Sequence, residues 1–157
     1  VDFFKNDSVL PDEIVAHRLG LIPLTFDKNF HTLPQKCECG GRGCPRCQVK
    51  LYLYKKGPGY VYSGDLKSSD EKVVPLYDRI PITYLNEDEE IEFEAIAQLG
   101  LGKEHAKWQA GNCGYSYDEN GVFTFNIETT SSYKPEELFS EAIDVIIEKL
   151  KELKNKI

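Results

Sequence analysis

Apolar and polar residues alternate with a period of two along several short stretches of the chain. The clearest stretch is 49–54, where valine and leucine alternate with lysine and tyrosine, and this predicts a half-buried β-strand. Further short strands are predicted at four stretches bounded by Gly, Asp, Ser or Pro, namely 60–63, 73–77, 80–85 and 91–99. A Gly-Pro-Gly sequence at 57–59 predicts a turn. The section from 49 to 99 is therefore expected to be mostly β.

Two other stretches have apolar residues at helical spacing. Ile14, Val15 and Leu19 predict a short amphipathic helix over 11–19. A second helix is predicted from Pro135 to near the end of the chain, about 33 Å long. Its apolar residues are spaced by four and three residues in turn, and they are Phe139, Ile143, Ile146, Leu150, Leu153 and Ile157. This spacing is a heptad seam, which is typical of a helix that packs along a partner helix.

A β-hairpin is predicted before the long helix. Strands at 115–117 and 122–128 flank Asn120-Gly121, which is the strongest short hairpin signal. At the other end of the chain, residues 1–5 have the pattern of a strand fragment, and the first residue is valine rather than methionine. We therefore expect the chain to begin inside a strand of a longer fold. The predicted order of strand, helix, cysteine-rich loop, run of strands, hairpin and long helix indicates the α+β class.

Composition narrows the class of protein. The chain has 157 residues, of which 41% are hydrophobic and 29% are charged, as in soluble globular domains. No apolar stretch approaches the ~20 residues of a membrane span, and the first residues lack the pattern of a signal peptide. We therefore expect a cytoplasmic protein. A formal net charge of -7 disfavours direct, tight binding of nucleic acid, which usually requires an excess of basic residues.

Four of the five cysteines lie close together in the sequence, in the pattern C-x-C-x4-C-x2-C. They are Cys37, Cys39, Cys44 and Cys47. Thiolates bind zinc at about 2.3 Å in a tetrahedral shell, and a glycine-rich loop lets four of them converge. Because all four ligands are cysteines, the pattern predicts a closed, structural zinc site. An iron–sulfur cluster or an empty thiol site is the next alternative, and two disulfides follow.

Histidines elsewhere in the chain are candidates for catalysis. His17 and Arg18 lie on the first predicted helix without an accompanying nucleophile, so we expect a packed histidine and an arginine that contacts a neighbour. His105 and Glu104 are adjacent in sequence, and adjacent side chains usually point in different directions. We therefore expect a docking role or a structural corner for this segment, with Trp108 as a buried anchor.

Three stretches together resemble one known family. The stretch DSVLPDEIVAHRLGLIPL at 7–24 is similar to the signature of the α-like subunits of RNA polymerase. VYSGDLKSSD at 61–70 and GKEHAKW at 102–108 are similar to two later stretches of that family, in the same order. The similarity is greatest to the archaeal members, the D subunits, which are counterparts of the third-largest subunit of eukaryotic RNA polymerase II.

This resemblance implies a two-part subunit. A dimerisation domain would comprise 1–5 and 112–157, without the strand and helix with which family members begin, and a mainly β insert would comprise 6–111 with the metal loop 37–47. The long helix would pair with a smaller α-like subunit, subunit L, in a heterodimer on which the large catalytic subunits assemble. The partner-facing residues would be Phe139, Ile143, Ile146, Leu150 and Leu153.

The resemblance also implies a non-catalytic role in transcription. Nucleotide addition by DNA-directed RNA polymerase, a nucleotidyltransferase, would take place in the large subunits, and this chain would meet DNA and RNA only indirectly. Some archaeal relatives carry a ferredoxin-like insertion with iron–sulfur cysteines, which this sequence lacks. The four clustered cysteines are instead similar to the zinc loop of the eukaryotic counterpart, although the second gap of that loop is shorter.

Two other functions fit the sequence less well. A free-standing zinc-knuckle module that binds nucleic acid or protein would use the 37–47 loop alone. A small redox or hydrolytic enzyme would rest on Cys113 and His105. Cys113, however, is far from the other cysteines in sequence and is expected to be either a buried small residue or a residue without a role.

Overall fold

The computed structural model describes residues 1–156 and divides into two compact units, Val1–Trp108 and the part from Gln109 onward. Both units contain strands and a helix, which confirms the prediction of a mixed fold. The elements of the first unit are β1 (Asp2–Asn6), α1 (Asp12–Gly20), β2 (Val49–Lys56), β3 (Gly59–Tyr62), β4 (Lys67–Ser68), β5 (Pro81–Leu85) and β6 (Glu90–Ala97). Those of the second are β7 (Gly111–Tyr117), β8 (Phe123–Thr129) and α2 (Pro135–Lys154).

The main sheet of the first unit has four antiparallel strands in the order β1-β6-β2-β4. Its two longest strands, β2 and β6, pair over their whole length, from Val49 opposite Ala97 to Lys56 opposite Glu90. The alternation predicted for 49–54 is confirmed, because Val49, Leu51 and Leu53 are buried while the residues between them are exposed. One face of this pair therefore belongs to the core.

The opposite face of the sheet is exposed and held by polar contacts between neighbouring strands. The Tyr52 hydroxyl donates to the Glu92 carboxylate at 2.8 Å, and the Tyr54 hydroxyl donates to Glu90 at 3.0 Å. Lys50 forms an ion pair with Glu94 at 2.7 Å. The tyrosines of this face are thus bonded to acidic neighbours, an arrangement unlike a platform for stacking nucleic-acid bases.

A second, two-stranded sheet of β3 and β5 completes the core together with α1. Val15 is the buried residue of α1, and Arg18 donates from Nη1 to the carbonyl of Ile82 in β5 at 2.9 Å. The expected contact of Arg18 with a neighbour is confirmed, whereas His17 is exposed and the expectation of a packed histidine was wrong. The buried cluster comprises Val15, Ile22, Leu51, Leu53, Val61, Leu66, Ile82, Leu85, Ile91, Phe93 and Ala95.

Two short elements differ from the sequence prediction. Residues 73–77 form no strand, and the only ladder contact there is an isolated bridge between Leu24 and Pro75. Proline lacks the N–H group that a continuous ladder requires, so the predicted strand was wrong. The two-residue strand β4 was not predicted, because it is too short to have a recognisable period.

The predicted strand fragment at the start of the chain is β1, which pairs with β6 in the first unit. Whereas the family resemblance groups 1–5 with 112–157, β1 lies in the same compact unit as the other strands up to β6. The reason is that Phe3 faces Phe93 across the ladder, with ring centroids 5.5 Å apart, and packs against the core.

The second unit consists of the predicted hairpin and the predicted long helix. Strands β7 and β8 pair from Gly111 opposite Thr129 to Tyr117 opposite Phe123, and Gly121 takes a φ of 78° in the turn. The helix α2 has acidic residues in its first turn and basic residues in its last, which complements the helix dipole. Ile157, the last residue of the predicted seam, lies outside the described residues. Among residues 1–156, no helix has the length and apolar character needed to cross a membrane.

The burial pattern of β6 provides a matched test of the core. Ile91 is fully buried and Ile96, on the same strand, is 53% exposed. We expect Ile91→Ala to lower the free energy of unfolding by about 2–5 kcal/mol, because it leaves a cavity. We expect Ile96→Ala to change it by about 0.5 kcal/mol or less. Urea unfolding of the chain, followed by the fluorescence of the single tryptophan, Trp108, measures both, and equal losses would contradict the assignment of the buried face.

Candidate metal centre

The four clustered cysteines lie in the loop that leads into β2. Backbone hydrogen bonds fold this loop, among them Gly40 N–H to the Cys37 carbonyl at 2.8 Å and Cys47 N–H to the Cys44 carbonyl at 2.9 Å. Gly40 and Gly41 have φ values of 67° and 77°, a region that residues with a side chain rarely adopt. The sequence therefore allows the chain to reverse sharply between the first and second pairs of cysteines.

The structure brings the four sulfur atoms together. All four lie within 4.8 Å of one another, with Sγ–Sγ distances of 3.5 Å for Cys37 and Cys44, 3.6 Å for Cys39 and Cys47, and 3.9 Å for Cys44 and Cys47. These distances exceed the ~2.05 Å of a disulfide bond, and the cysteines are free thiols. They match the edge of about 3.8 Å expected of a tetrahedron of sulfurs at about 2.3 Å from one ion.

The geometry favours a single ion over a cluster of several irons. In a four-iron cluster each cysteine binds a different iron atom, so the sulfurs must stand further apart than they do around one ion. Cys37 and Cys47 are buried, with 7% and 3% exposure, and Cys39 and Cys44 are partly buried. Four converging thiolates would fill the shell of a tetrahedral ion, so the arrangement suits a structural role rather than one with an open position for substrate.

The thiols of the loop have unequal pKa values. The backbone N–H of Cys39 favours the thiolate of Cys37, but burial and hydrogen bonds from the neighbouring thiols outweigh it and raise the pKa of Cys37 to about 12. Burial raises the pKa of Cys47 as well. A hydrogen bond from the backbone of Cys44 and the contact with the Cys37 thiol lower the pKa of Cys39 to about 5. Without an ion, the loop therefore holds a mixture of thiol and thiolate at neutral pH.

A buried histidine that the sequence did not single out supports the segment before the loop. The ring of His31 is 5% exposed, with Nε2 at 3.2 Å from Oδ2 of Asp70 and Nδ1 accepting the backbone N–H of Asp27 at 3.1 Å. Lys72 forms an ion pair with Asp27 at 2.8 Å, and its hydrogen bond lowers the pKa of that carboxyl. No local sequence pattern indicates that His31 is buried, because one of its partners, Asp70, lies far along the chain and the segment around His31 has no regular secondary structure.

The segment GKEHAKW contacts the residues that precede the cysteine loop, through Gln35. Trp108 is half-buried and donates from Nε1 to the carbonyl of Gln98 at 3.2 Å, so the expected anchor is only partly buried. His105 is exposed, and its Nδ1 accepts the backbone N–H of Lys107. The carboxylate of Glu104 accepts from the side chain of Gln35 at 3.5 Å instead of serving an acid–base pair with His105. These contacts indicate a structural role for the segment, as a corner of the chain, rather than a catalytic one.

Most of the chain matches one known family. The profile of the family described as "RNA polymerase Rpb3/RpoA insert domain" matches residues 1–114, which include all three stretches identified in the sequence and the cysteine loop. The chain belongs to this family. The Rpb3/RpoA insert domain thus accounts for the whole of the first unit and its cysteine loop.

Relatives of the same family have high sequence identity to the chain. DNA-directed RNA polymerase subunit Rpo3 of Methanosphaera stadtmanae is 51% identical over 123 residues, covering 74% of this chain and 45% of the relative. The Rpo3 subunits of Methanothermobacter thermautotrophicus and Pyrococcus furiosus are 49% and 48% identical over 74% of this chain and over 46% and 42% of their own lengths. The chain therefore spans less than half the length of these curated relatives.

The second unit carries an exposed apolar surface, whose large side chains begin at Tyr115, just beyond the family match. None of its described residues is buried, Cys113 included, so of the two expectations for Cys113 the one of burial was wrong. The seam residues of α2 are 38–61% exposed and comprise Phe139, Ile143, Ile146, Leu150 and Leu153. On the hairpin, Phe125 stands 5.1 Å from Phe139 between ring centroids, and its aromatic neighbours are exposed as well.

The unequal thiol pKa values predict that metal binding depends on pH. A bound ion requires thiolates, so binding must displace at least the protons of Cys37 and Cys47, whose pKa values are raised. We expect the zinc affinity to rise with pH, by at least about 100-fold per unit between pH 6 and 8, because at least two protons are displaced. Competition with a chelator of known pH dependence measures this affinity. Cys113→Ser should behave as the unaltered chain does, and an affinity independent of pH would contradict the assigned protonation.

Proposed function

We propose that this chain is part of the D subunit of an archaeal RNA polymerase, to which the relatives named Rpo3 correspond, and that it serves in assembly rather than catalysis. The observation that carries this proposal is the identity of about half the residues to Rpo3 subunits over 74% of the chain. A free-standing zinc-knuckle module is not favoured, because the family match extends over residues 1–114 rather than the loop alone.

The second unit exposes an apolar surface of the kind that a partner protein covers. A single hairpin and one helix bury too little apolar surface to be stable by themselves. Here the helix seam and the hairpin aromatics remain exposed, among them Ile146 at 58%, Leu150 at 61% and Tyr115 at 67%. We infer that subunit L, the smaller α-like subunit, packs against this seam in a heterodimer. Residues 112–157, together with 1–5 in the longer protein, would then form the dimerisation part and 6–111 the insert.

The activity belongs to the assembled enzyme. The heterodimer would be the platform on which the large subunits assemble, and those subunits would carry out nucleotidyl transfer in the cytoplasm. The net charge of -7 supports a position away from DNA and RNA, because direct phosphate contact usually needs a basic surface. In this proposal the chain contributes no catalytic residue.

We further propose that the loop holds one structural zinc ion on Cys37, Cys39, Cys44 and Cys47. The support is the set of Sγ–Sγ distances, which are 3.5–3.9 Å for three of the pairs and no more than 4.8 Å for the others, as a tetrahedral site requires. When bound, the ion would supply a cross-link within the loop and no chemistry on a substrate. Cys37 and Cys47 are buried in the structure, and this burial limits the access of water to two of the four ligands.

Substitutions in the seam test the proposed partnership. When the chain is co-expressed with subunit L, we expect a stoichiometric complex. Ile146→Glu with Leu150→Glu should weaken this complex by at least about 100-fold, because the two apolar contacts are lost and two carboxylates would be desolvated. Co-purification and analytical ultracentrifugation measure the complex, and the metal content should stay unchanged.

A matched control uses the opposite face of α2. Asp144→Lys with Glu148→Lys alters charge on that face and should leave the complex intact. A stable isolated monomer in the presence of subunit L would contradict the assembly role. A complex that tolerates the glutamates at 146 and 150 would instead contradict the seam as the interface.

Elemental analysis tests the proposed ion. The chain purified without added metal should contain about one zinc per molecule, and Cys37→Ser should remove most of it, since three thiolates hold zinc more weakly than four. Cys113→Ser is the matched control and should retain the zinc. Stoichiometric iron accompanied by visible absorbance would overturn the zinc assignment.

A further inference from the structure

The cysteine loop is basic within an acidic chain. The whole chain has 19 basic and 26 acidic residues. Between 36 and 47 the balance is reversed, because Lys36, Arg42 and Arg46 are accompanied only by Glu38. A divalent ion with four thiolates has a formal charge of about −2. The side chains of the loop would therefore cancel the charge of the occupied site.

Arg42 is the basic residue that the fold turns back onto a ligand. It lies between Gly41 and Gly43, which have φ values of 77° and 93°, and this turn directs its side chain toward the preceding residues. Its Nε donates to the backbone carbonyl of Cys39 at 2.9 Å. The guanidinium thus lies against the residue that carries one of the four sulfurs, and the acceptor of this bond is a neutral carbonyl rather than a carboxylate.

Arg46 has a different environment. Its Nη1 donates to the carboxylate of Glu38 at 3.1 Å, and this carboxylate is 88% exposed. The charge of Arg46 is therefore partly offset by an acidic neighbour at the solvent. Of the two arginines in the loop, Arg42 is therefore the one whose side chain is bonded to the backbone of a ligand candidate.

We propose that Arg42 is a positioning residue of the metal centre, which fixes the Cys39 backbone and offsets the negative charge of an ion bound by four thiolates. This inference rests on the proposed metal site. Residues outside the ligand shell commonly alter metal affinity by about 10–100-fold. Because the guanidinium is exposed, its electrostatic effect is screened by salt. A structural arginine that merely covers the loop would lack this dependence on salt.

The test measures zinc affinity in the full chain by competition with a chromophoric chelator, at low and high salt. Arg42→Gln should bind zinc about 10-fold more weakly at low salt, and the difference should shrink at high salt. Arg42→Lys keeps the charge and should recover most of the affinity. Arg79→Gln removes the charge of an exposed arginine outside the loop and should match the unaltered chain.

The outcomes separate this inference from the proposed metal site. If the unaltered chain takes up one zinc and Arg42→Gln matches its affinity at low salt, the role of Arg42 is overturned while the metal site stands. If Arg42→Lys binds as weakly as Arg42→Gln, the charge is not the cause and the proposal fails. If the unaltered chain takes up no zinc, both are overturned. Circular dichroism of the metal-free variants should match the unaltered chain, which separates lost affinity from lost folding.

Discussion

The pairing of β2 with β6 is the constraint on which the first unit depends. Its eight opposed residue pairs fix which side chains face inward, and a slip of one strand by one residue would turn the core residues of that strand to solvent. The cysteine loop enters β2 at Val49, and the segment 98–108 leaves β6 at Ala97, directly opposite. The cysteine loop and the segment 98–108 are therefore attached to the same end of this strand pair. Gln48 contacts Gln98 there at 3.5 Å.

The two units differ in how far they bury their apolar residues. The first encloses a core between two sheets and a helix, with Leu53, Ile82, Ile91 and Phe93 fully buried. The second presents its apolar residues on one helix and one hairpin, and none of its described residues is buried. This contrast fits an insert that folds around its own core and a dimerisation part that is completed by other chains, as proposed for an assembly subunit.

The elements that depend on the pattern of neighbouring residues could be predicted from the sequence. The alternation at 49–54, the hairpin at Asn120-Gly121 and the long helix all depend on local spacing, and all are present in the structure. Residues 73–77 have a similar apolar content, but Pro75 cannot donate to a ladder, and tertiary contacts there replace the predicted strand. The environment of His31 depends on Asp70, which is distant in sequence, so no local pattern could indicate it.

The burial pattern of β2 extends into the loop that precedes it. Cys47 is buried like Val49, Leu51 and Leu53, at the same two-residue spacing, so one ligand candidate lies in the turn two residues before the first buried position of a core strand. Occupancy of the loop and folding of the sheet would then be linked equilibria, since an ion that binds only the folded loop stabilises it in proportion to the logarithm of its free concentration. The stability of the first unit would thereby become a property of the surrounding metal pool as well as of the sequence.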